Sequence, residues 1–118
     1  MTREKYLEFC NSISGAVSDM PFREDFNSVV LRHWDNRKWF GLVMEHNGRD
    51  IVNLKLSPDE VLFYRDMYEG ITEAYHMNKT HWITLYLDSD VPEEEIKNLT
   101  MISFELTASR KKRRRVGI

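Results

Sequence analysis

The stretch that decides the fold is Ile51-Val52-Asn53-Leu54-Lys55-Leu56-Ser57-Pro58-Asp59-Glu60. Its first half places Val52, Leu54 and Leu56 at every second position, which predicts a strand with one face in the core. Its second half combines a serine cap, a proline at the first helical position and a glutamate three residues after the cap, the pattern of a helix start. This strand and helix are the fixed point from which we assign the other elements.

Turn residues and hydrophobic spacing on the N-terminal side predict one helix and two further strands. Apolar residues recur at helical spacing from near Thr2, and Gly15 occupies the position of a C-terminal cap. Residues 26–34 and 39–46 have the composition of strands, and Asn47-Gly48 is a strong signal for a hairpin between the second and third strands.

The C-terminal side adds a hairpin and a last helix. The helix that begins at Ser57 ends near Gly70, and residues 73–76 and 81–87 form a hairpin around a tight connection. Pro92 opens the last helix, whose first turn carries three glutamates near the positive end of the helix dipole. The order α-β-β-β-α-β-β-α predicts a two-layer α+β fold with a largely antiparallel five-stranded sheet.

The chain divides into an acidic body and a basic end. Six of its 17 Lys and Arg lie in residues 110–115, and the other 11 stand against 19 Asp and Glu, so residues 1–109 carry a net charge of −8. We expect residues 1–109 to form a single domain and residues 110–118 a flexible basic tail.

Three features that the sequence lacks indicate where the protein is located. No apolar stretch approaches the roughly 20 residues needed to cross a bilayer, and the first ten residues lack the apolar region of a secretory signal. Cys10 is the only cysteine, which excludes an internal disulfide and fits a reducing compartment. We expect a cytoplasmic protein that makes no membrane contact and exists as a monomer or weak dimer.

Strand alternation predicts an aromatic outer face on the sheet. Asn53 and Lys55 share the parity opposite to the core residues of their strand, as do Trp82, Thr84 and Tyr86 on a later strand. Trp39 joins them if Phe40, Leu42 and Met44 point inward. Such a face suits base stacking, a protein partner or the chain's own helices.

The run Tyr75-His76-Met77-Asn78-Lys79-Thr80-His81-Trp82 concentrates imidazoles, an amide and an ammonium without any acid. His76 and His81 are five residues apart, which fits neither one helix face nor one strand face, and no Cys or carboxylate completes a metal site. Nucleophile elbows, glycine-rich phosphate loops and metalloprotease motifs are also absent. We therefore expect no enzyme, no metal and no cofactor.

The chain resembles the MmcQ/YjbR family of small bacterial proteins over residues up to Ser109. The resemblance rests on Lys38-Trp39-Phe40-Gly41-Leu42, on Asn53-Leu54-Lys55 with Ser57-Pro58, and on Ala74 to Trp82. It implies a fold similar to the secretion-chaperone-like α+β class. It also implies DNA binding by a double-wing arrangement of hairpins, because proteins of this family are described in that way.

The predicted function is DNA binding through hairpin wings and the basic tail, and the alternative is a protein-interaction or chaperone-like module that uses the aromatic face. Lys and Asn would contact phosphates or bases, and Trp would stack or act as a wedge. The predicted nucleic-acid contacts are Lys38, Trp39, Lys55, His76, Asn78, Lys79, His81, Trp82, Arg110, Lys111, Lys112, Arg113, Arg114 and Arg115.

Overall fold

The structure is a computed structural model that describes residues 1–22 and 27–109. Phe26, the predicted start of the first strand, and the predicted tail of residues 110–118 lie outside the described residues. The helices are α1 (Arg3–Asn11), α2 (Pro58–Met67) and α3 (Glu93–Thr107), and the strands are β1 (Ala16–Asp19), β2 (Val29–His33), β3 (Trp39–His46), β4 (Arg49–Lys55), β5 (Ile71–Glu73) and β6 (Trp82–Tyr86).

The predicted α+β fold is confirmed, but the sheet of the described residues has six strands rather than five. The strands run in the order β1-β2-β3-β4-β6-β5, and every neighbouring pair is antiparallel. None of the helices in residues 1–22 and 27–109 has the length and apolar composition of a membrane span.

The additional strand is β1, which the sequence pattern did not reveal. Helix α1 already ends at Asn11, and Gly15 adopts a positive φ of 87° in the turn that leads into β1. The carbonyl of Gly15 accepts the amide of Trp34 at 2.7 Å, which aligns β1 with β2. A four-residue edge strand with a single exposed residue among partly buried ones has too few alternations to be recognised from sequence.

The second correction concerns the hairpin predicted for residues 73–76 and 81–87. Strand β5 starts at Ile71 and ends at Glu73, so its pairing with β6 stops before Tyr75. The cause is that the buried side chains of Asn53 and Thr84, rather than the backbone of β6, bind the backbone of Tyr75. The connection between the two strands is therefore longer than predicted and includes His76 with a positive φ of 61°.

The sequence-predicted start of α2 is confirmed in detail. Ser57 accepts the amide of Glu60, and the Glu60 carboxylate accepts the amide of Ser57, so both halves of the capping box are present. Pro58 occupies the first helical position. Inward from the cap, Val61 is buried in the core, which fixes the side of α2 that faces the sheet.

A β-bulge in β3 determines which residues enter the core. Leu31 pairs with Gly41 and Arg32 pairs with Trp39, so Phe40 is the extra residue. Phe40 is fully buried against Phe104 of α3, with ring centroids 5.0 Å apart. The bulge thus turns Phe40 toward the helices and shifts the alternation of β3, so that Trp39 lies on the same face as Leu42 and Met44.

This register corrects the predicted facing of Leu42 and Met44. Leu42 pairs with Asn53 and Met44 with Ile51, and both partners alternate with the core residues of β4. Leu42 and Met44 therefore lie on the outer face, whereas Phe40 points inward as predicted. Trp39 also lies on the outer face, but the bulge places it there, since the condition on which its prediction depended fails for Leu42 and Met44.

The side chain of Ser103 in α3 binds the two backbone groups that the bulge leaves without a strand partner. Its hydroxyl donates to the Phe40 carbonyl at 2.6 Å and accepts the Lys55 amide at 2.9 Å. These two backbone groups lie where regular pairing between β3 and β4 stops, after Gly41 and Leu54. One buried hydroxyl therefore joins the last helix to both central strands.

We predict that Ser103→Ala lowers the free energy of unfolding by roughly 2–3 kcal/mol, because it leaves a backbone donor and a backbone acceptor unpaired. Ser103 is fully buried, so water cannot replace its hydroxyl without a rearrangement. Urea unfolding measures the change, and Ser14→Ala on an exposed serine is the control. Equal stability of the two variants would show that the hydroxyl is dispensable.

Candidate nucleic-acid interface

A closed ring of hydrogen bonds fixes Tyr75 over the centre of the sheet. The Tyr75 amide donates to Thr84 Oγ1 at 2.7 Å, and the Thr84 hydroxyl donates to Asn53 Oδ1 at 2.6 Å. Asn53 Nδ2 then donates to the Tyr75 carbonyl at 2.9 Å. Asn53 and Thr84 are almost completely buried, so the predicted polar outer face is closed at this point.

The remainder of the connection is held by two residues that the sequence predicted as DNA contacts. Asn78 Oδ1 accepts the amides of Thr80 and His81 at 2.9 and 3.1 Å, which makes it the cap of the turn. The Lys79 ammonium donates to the Ala74 carbonyl at 3.2 Å. Both side chains therefore shape the connection, and the Lys79 ammonium keeps further donors for another contact.

Three rings are in contact on the outer face beside this connection. The centroid of Tyr75 lies 3.9 Å from that of His46 and 3.9 Å from that of His76, with the ring planes tilted by 32° and 46°. They border a depression of about 320 Å³ that Lys79 and Tyr86 also line. In residues 1–22 and 27–109, no group of three His, Cys, Asp or Glu side chains is arranged to hold a metal ion.

The outer face ends in a row of alternating cations and tryptophans. Arg32 pairs with Trp39 across β2 and β3, and Lys55 pairs with Trp82 across β4 and β6. The four side chains are half-buried and lie at the same end of four neighbouring strands. The predicted contacts Trp39, Lys55 and Trp82 are therefore brought together on adjacent strands.

Trp39 is already partly covered by its own chain. The Arg32 guanidinium lies 5.4 Å from the centre of the Trp39 ring, and Phe22 meets the ring edge-on at 6.3 Å. Arg32 in turn forms an ion pair with Asp19 at 3.1 Å. This arrangement leaves less of the Trp39 ring for stacking on a base than the sequence suggested.

The turn between β2 and β3 carries an aromatic residue that the sequence reasoning missed. Trp34 is 69% exposed, the largest exposed fraction among the large apolar side chains of the described residues. Arg37 and Lys38, both exposed, follow it in the same turn. The signal available from sequence was a tryptophan at the last position of a predicted strand, directly before the turn residues Asp35-Asn36.

Hydrogen bonds hold this turn against the end of α3. The Arg37 amide donates to the His33 carbonyl, and Asn36 Oδ1 accepts the Lys38 amide at 2.8 Å. Asn36 Nδ2 donates to the Thr107 carbonyl at 3.0 Å, in the last turn of α3. The last described residue, Ser109, therefore follows directly after a helix end that is bonded to this turn.

Charge is distributed unevenly along the strands. The end that carries Trp39 and Trp82 has the exposed cations Arg37, Lys38 and Lys79 and the half-buried Lys55, with the acids Asp19, Asp35 and Asp59. At the opposite end, the Arg49 guanidinium holds the pKa of the Asp88 carboxyl below its ordinary value. The amides of Gly70 and Glu69 likewise lower the pKa of Asp90.

Cys10 has no role in this surface. It is buried beside Tyr6 in the core, and burial raises its pKa to about 12. A thiol with so high a pKa has almost no thiolate at neutral pH and is a poor nucleophile.

Comparison with known proteins identifies the family. A family model described as YjbR matches residues 11–106, which include the row, the β2–β3 turn and the Tyr75 connection. The chain belongs to the YjbR family. Residues 110–118 lie outside the part that the family model matches.

Several YjbR relatives cover nearly the whole chain. The uncharacterized protein YyaQ of Bacillus subtilis (strain 168) is 38% identical, and the match covers 91% of this chain and 98% of YyaQ. The uncharacterized protein YjbR of Escherichia coli (strain K12) is 30% identical, with 89% and 86% covered.

Solved structures share the fold. A crystal structure of a Pseudomonas syringae protein has a TM-score of 0.84 and 35% sequence identity, and the match covers 92% of this chain and 100% of that protein. A crystal structure of a Deinococcus radiodurans protein, at 23% identity, has a TM-score of 0.81 and covers 99% of this chain. The second likeness concerns the fold alone.

Proposed function

We propose that this YjbR-family protein binds DNA through the end of the sheet that carries the β2–β3 turn. The observation that carries the proposal is Trp34, a tryptophan that is 69% exposed in a turn with two exposed cations. Large aromatic side chains usually bury most of their area. An exposed ring beside positive charge suits a wedge between bases or a stacking contact, with phosphates held by the cations.

The cations at this end supply contacts to the phosphate backbone. Lys38 follows Trp34 in the turn, and Lys55 lies on the outer face beside Trp82. Lysine binds phosphate as a point charge, without reading the base sequence. These contacts would set the position of the protein on DNA and give it an affinity that depends on salt.

The two turns at this end correspond to the two wings implied by the family resemblance. The β2–β3 turn presents Trp34 and Lys38, and the connection before β6 presents His76, Lys79 and His81. Strands β3 and β6 are separated by β4, so the wings are roughly 10 Å apart at a strand spacing of about 4.8 Å. This separation is close to the roughly 12 Å width of the major groove.

The acidic body makes the basic residues 110–115 important for this function. A net charge of −8 on residues 1–109 repels DNA at long range, and six consecutive cations offset most of it. These cations follow Ser109, and Ser109 comes two residues after the Thr107 carbonyl that Asn36 binds. Ser109, the last described residue before these cations, therefore lies on the side of the domain where the proposed contacts lie.

We predict that Trp34→Ala weakens duplex DNA binding at about 50 mM salt by at least about fivefold, because a stacked base contributes about 1–3 kcal/mol. Fluorescence anisotropy with a labelled duplex measures the dissociation constant. Phe63→Ala, which shortens a 52% exposed side chain on α2, is the matched control and should bind as the parent does. Absence of any duplex binding by the parent chain under these conditions would rule out DNA as the partner.

We further predict that a chain ending at Ser109 loses most of the salt dependence of binding. Each phosphate neutralised contributes about −0.9 to the slope of log affinity against log salt, so six cations account for a change of up to about 5. Titrations at several salt concentrations give the slopes of both chains. Identical slopes would show that residues 110–115 do not contact the phosphates.

A second candidate, a protein-interaction module, is favoured by α2. Leu62, Phe63 and Met67 are 64, 52 and 50% exposed on the side of the helix that faces away from the core. Surface helices usually carry polar residues on that side. The aromatic sheet face predicted for this alternative is a poorer candidate surface, because the Tyr75 connection covers its centre.

A further inference from the structure

The edge of the sheet farthest from β1 carries a groove that the proposed DNA contacts do not use. It consists of two adjoining depressions that share Thr72 and Tyr86, one of about 730 Å³ beside α2 and one of about 430 Å³ beside Gly70. We call it the edge groove. Strand β5 forms its floor and is the last strand of the sheet in the described residues.

One wall of the edge groove is apolar. Leu62 of α2 lines it with 64% of its surface exposed, whereas Ile71 of β5, which also borders it, is buried in the core. Covering a leucine that is exposed to this extent with another apolar side chain stabilises the complex by roughly 25 cal/mol for each Å² removed from water.

The charges of the edge groove are predominantly negative. Four carboxylates line it, from Asp66, Glu69, Glu73 and Asp90, against two arginines. Each arginine already faces a carboxylate: Arg65 lies 3.7 Å from Glu73, and Arg49 lies 2.9 Å from Asp88. The groove therefore attracts a cationic segment and offers an apolar wall beside the charges.

We propose that the edge groove binds the chain's own C-terminal segment, Arg110 to Ile118. The segment has the complementary order of residues, six consecutive cations followed by Val116 and Ile118 around Gly117. Its arginines match the carboxylates of Asp66 and Glu69, and its apolar end matches Leu62. Guanidinium groups pair with carboxylates in a planar, two-point geometry, which favours arginine for such a contact.

The segment is long enough to reach the groove within one molecule. Helix α3 ends beside the turn that follows β2, and β5 lies four strand spacings away, roughly 19 Å across the sheet. Gly70 lies at the other end of β6, roughly 13 Å along the strand, so the straight distance to that part of the groove is roughly 23 Å. Nine residues after Ser109 span at most roughly 30 Å. The last arginines and the apolar end are therefore the part of the segment that meets the groove.

Docking in the edge groove opposes the proposed binding of DNA, because both use the same cations. The acidic groove would hold the segment until phosphates replace the carboxylates. The carboxylates of the groove would therefore compete with DNA for the cations of the segment. The docking itself does not depend on DNA binding, and its test contains no nucleic acid.

Limited trypsin digestion of the full chain tests the docking directly. Cleavage after residues 110–115, followed by mass spectrometry at about 20 mM salt, is compared with cleavage of a free peptide of residues 106–118 under the same conditions. We expect cleavage in the full chain to be about fivefold slower, the factor given by two exposed ion pairs. High salt should remove the difference.

Charge reversal in the groove separates docking from other causes of protection. Asp66→Lys with Glu69→Lys should raise cleavage to the rate of the peptide, and lysine near the end of α2 also suits the helix dipole. Glu8→Lys with Glu45→Lys makes the same change in net charge at exposed sites outside the groove and should leave the protection intact. Circular dichroism verifies that all variants are folded.

Three results would overturn the proposal. The first is cleavage of the parent chain at the rate of the free peptide, and the second is protection that persists in the groove variant. Protection that rises with protein concentration would instead place the segment in the groove of a second copy, which contradicts docking within one molecule.

Discussion

The structure depends on a buried ring of hydrogen bonds that closes the outer face of the sheet. Thr84 and Asn53, from two neighbouring strands, bind the amide and the carbonyl of Tyr75 at 2.7 and 2.9 Å and each other at 2.6 Å. An unpaired buried polar group costs about 1–3 kcal/mol. Without the Tyr75 backbone the buried side chains would lose their partners, and without those side chains the Tyr75 amide and carbonyl would lose theirs. The ring therefore ends β5 at Glu73 and sets the path of the connection to β6.

That path determines which surfaces remain for a partner. The connection covers the middle of the outer face and leaves Trp82 and Lys55 at its border, beside the row that continues to Trp39. Ser103 fixes the same end of the sheet from the inner side, because its hydroxyl joins Phe40 to the Lys55 amide. The proposed DNA contacts thus lie on a part of the sheet that is held from both faces, and preorganised groups lose less entropy on binding.

Local patterns predicted the elements that local chemistry controls. The capping box at Ser57 and the Asn47-Gly48 turn, with φ values of 54° and 73°, were recognised because a few adjacent residues determine them. The closure of the outer face was not recognised. Asn53 alternates with apolar residues and therefore resembles a solvent-facing side chain, whereas its burial depends on a hydrogen bond to a residue 22 positions away.

Only part of the candidate site was predicted, because only that part follows from the pattern within a single strand. Strand parity placed Lys55 and Trp82 on one face, and the register agrees, whereas Trp39 joins them because of the bulge at Phe40. The bulge at Phe40 and the exposure of Trp34 depend on how β2, β3 and α3 pack together. Alternation within one strand does not reveal this packing. Asn78 and Lys79 were singled out as contacts, and the structure gives them bonds within their own turn.

Hydrogen exchange at the Tyr75 amide is the most direct test of the buried ring. The account predicts that this amide, although it lies outside any strand, exchanges as slowly as the amides of Val52 and Leu85 in β4 and β6. In Thr84→Val, which removes the acceptor but keeps the shape, the protection of Tyr75 should fall far more than that of Val52. Exchange of the parent Tyr75 amide at the rate of an unprotected loop amide would contradict the account.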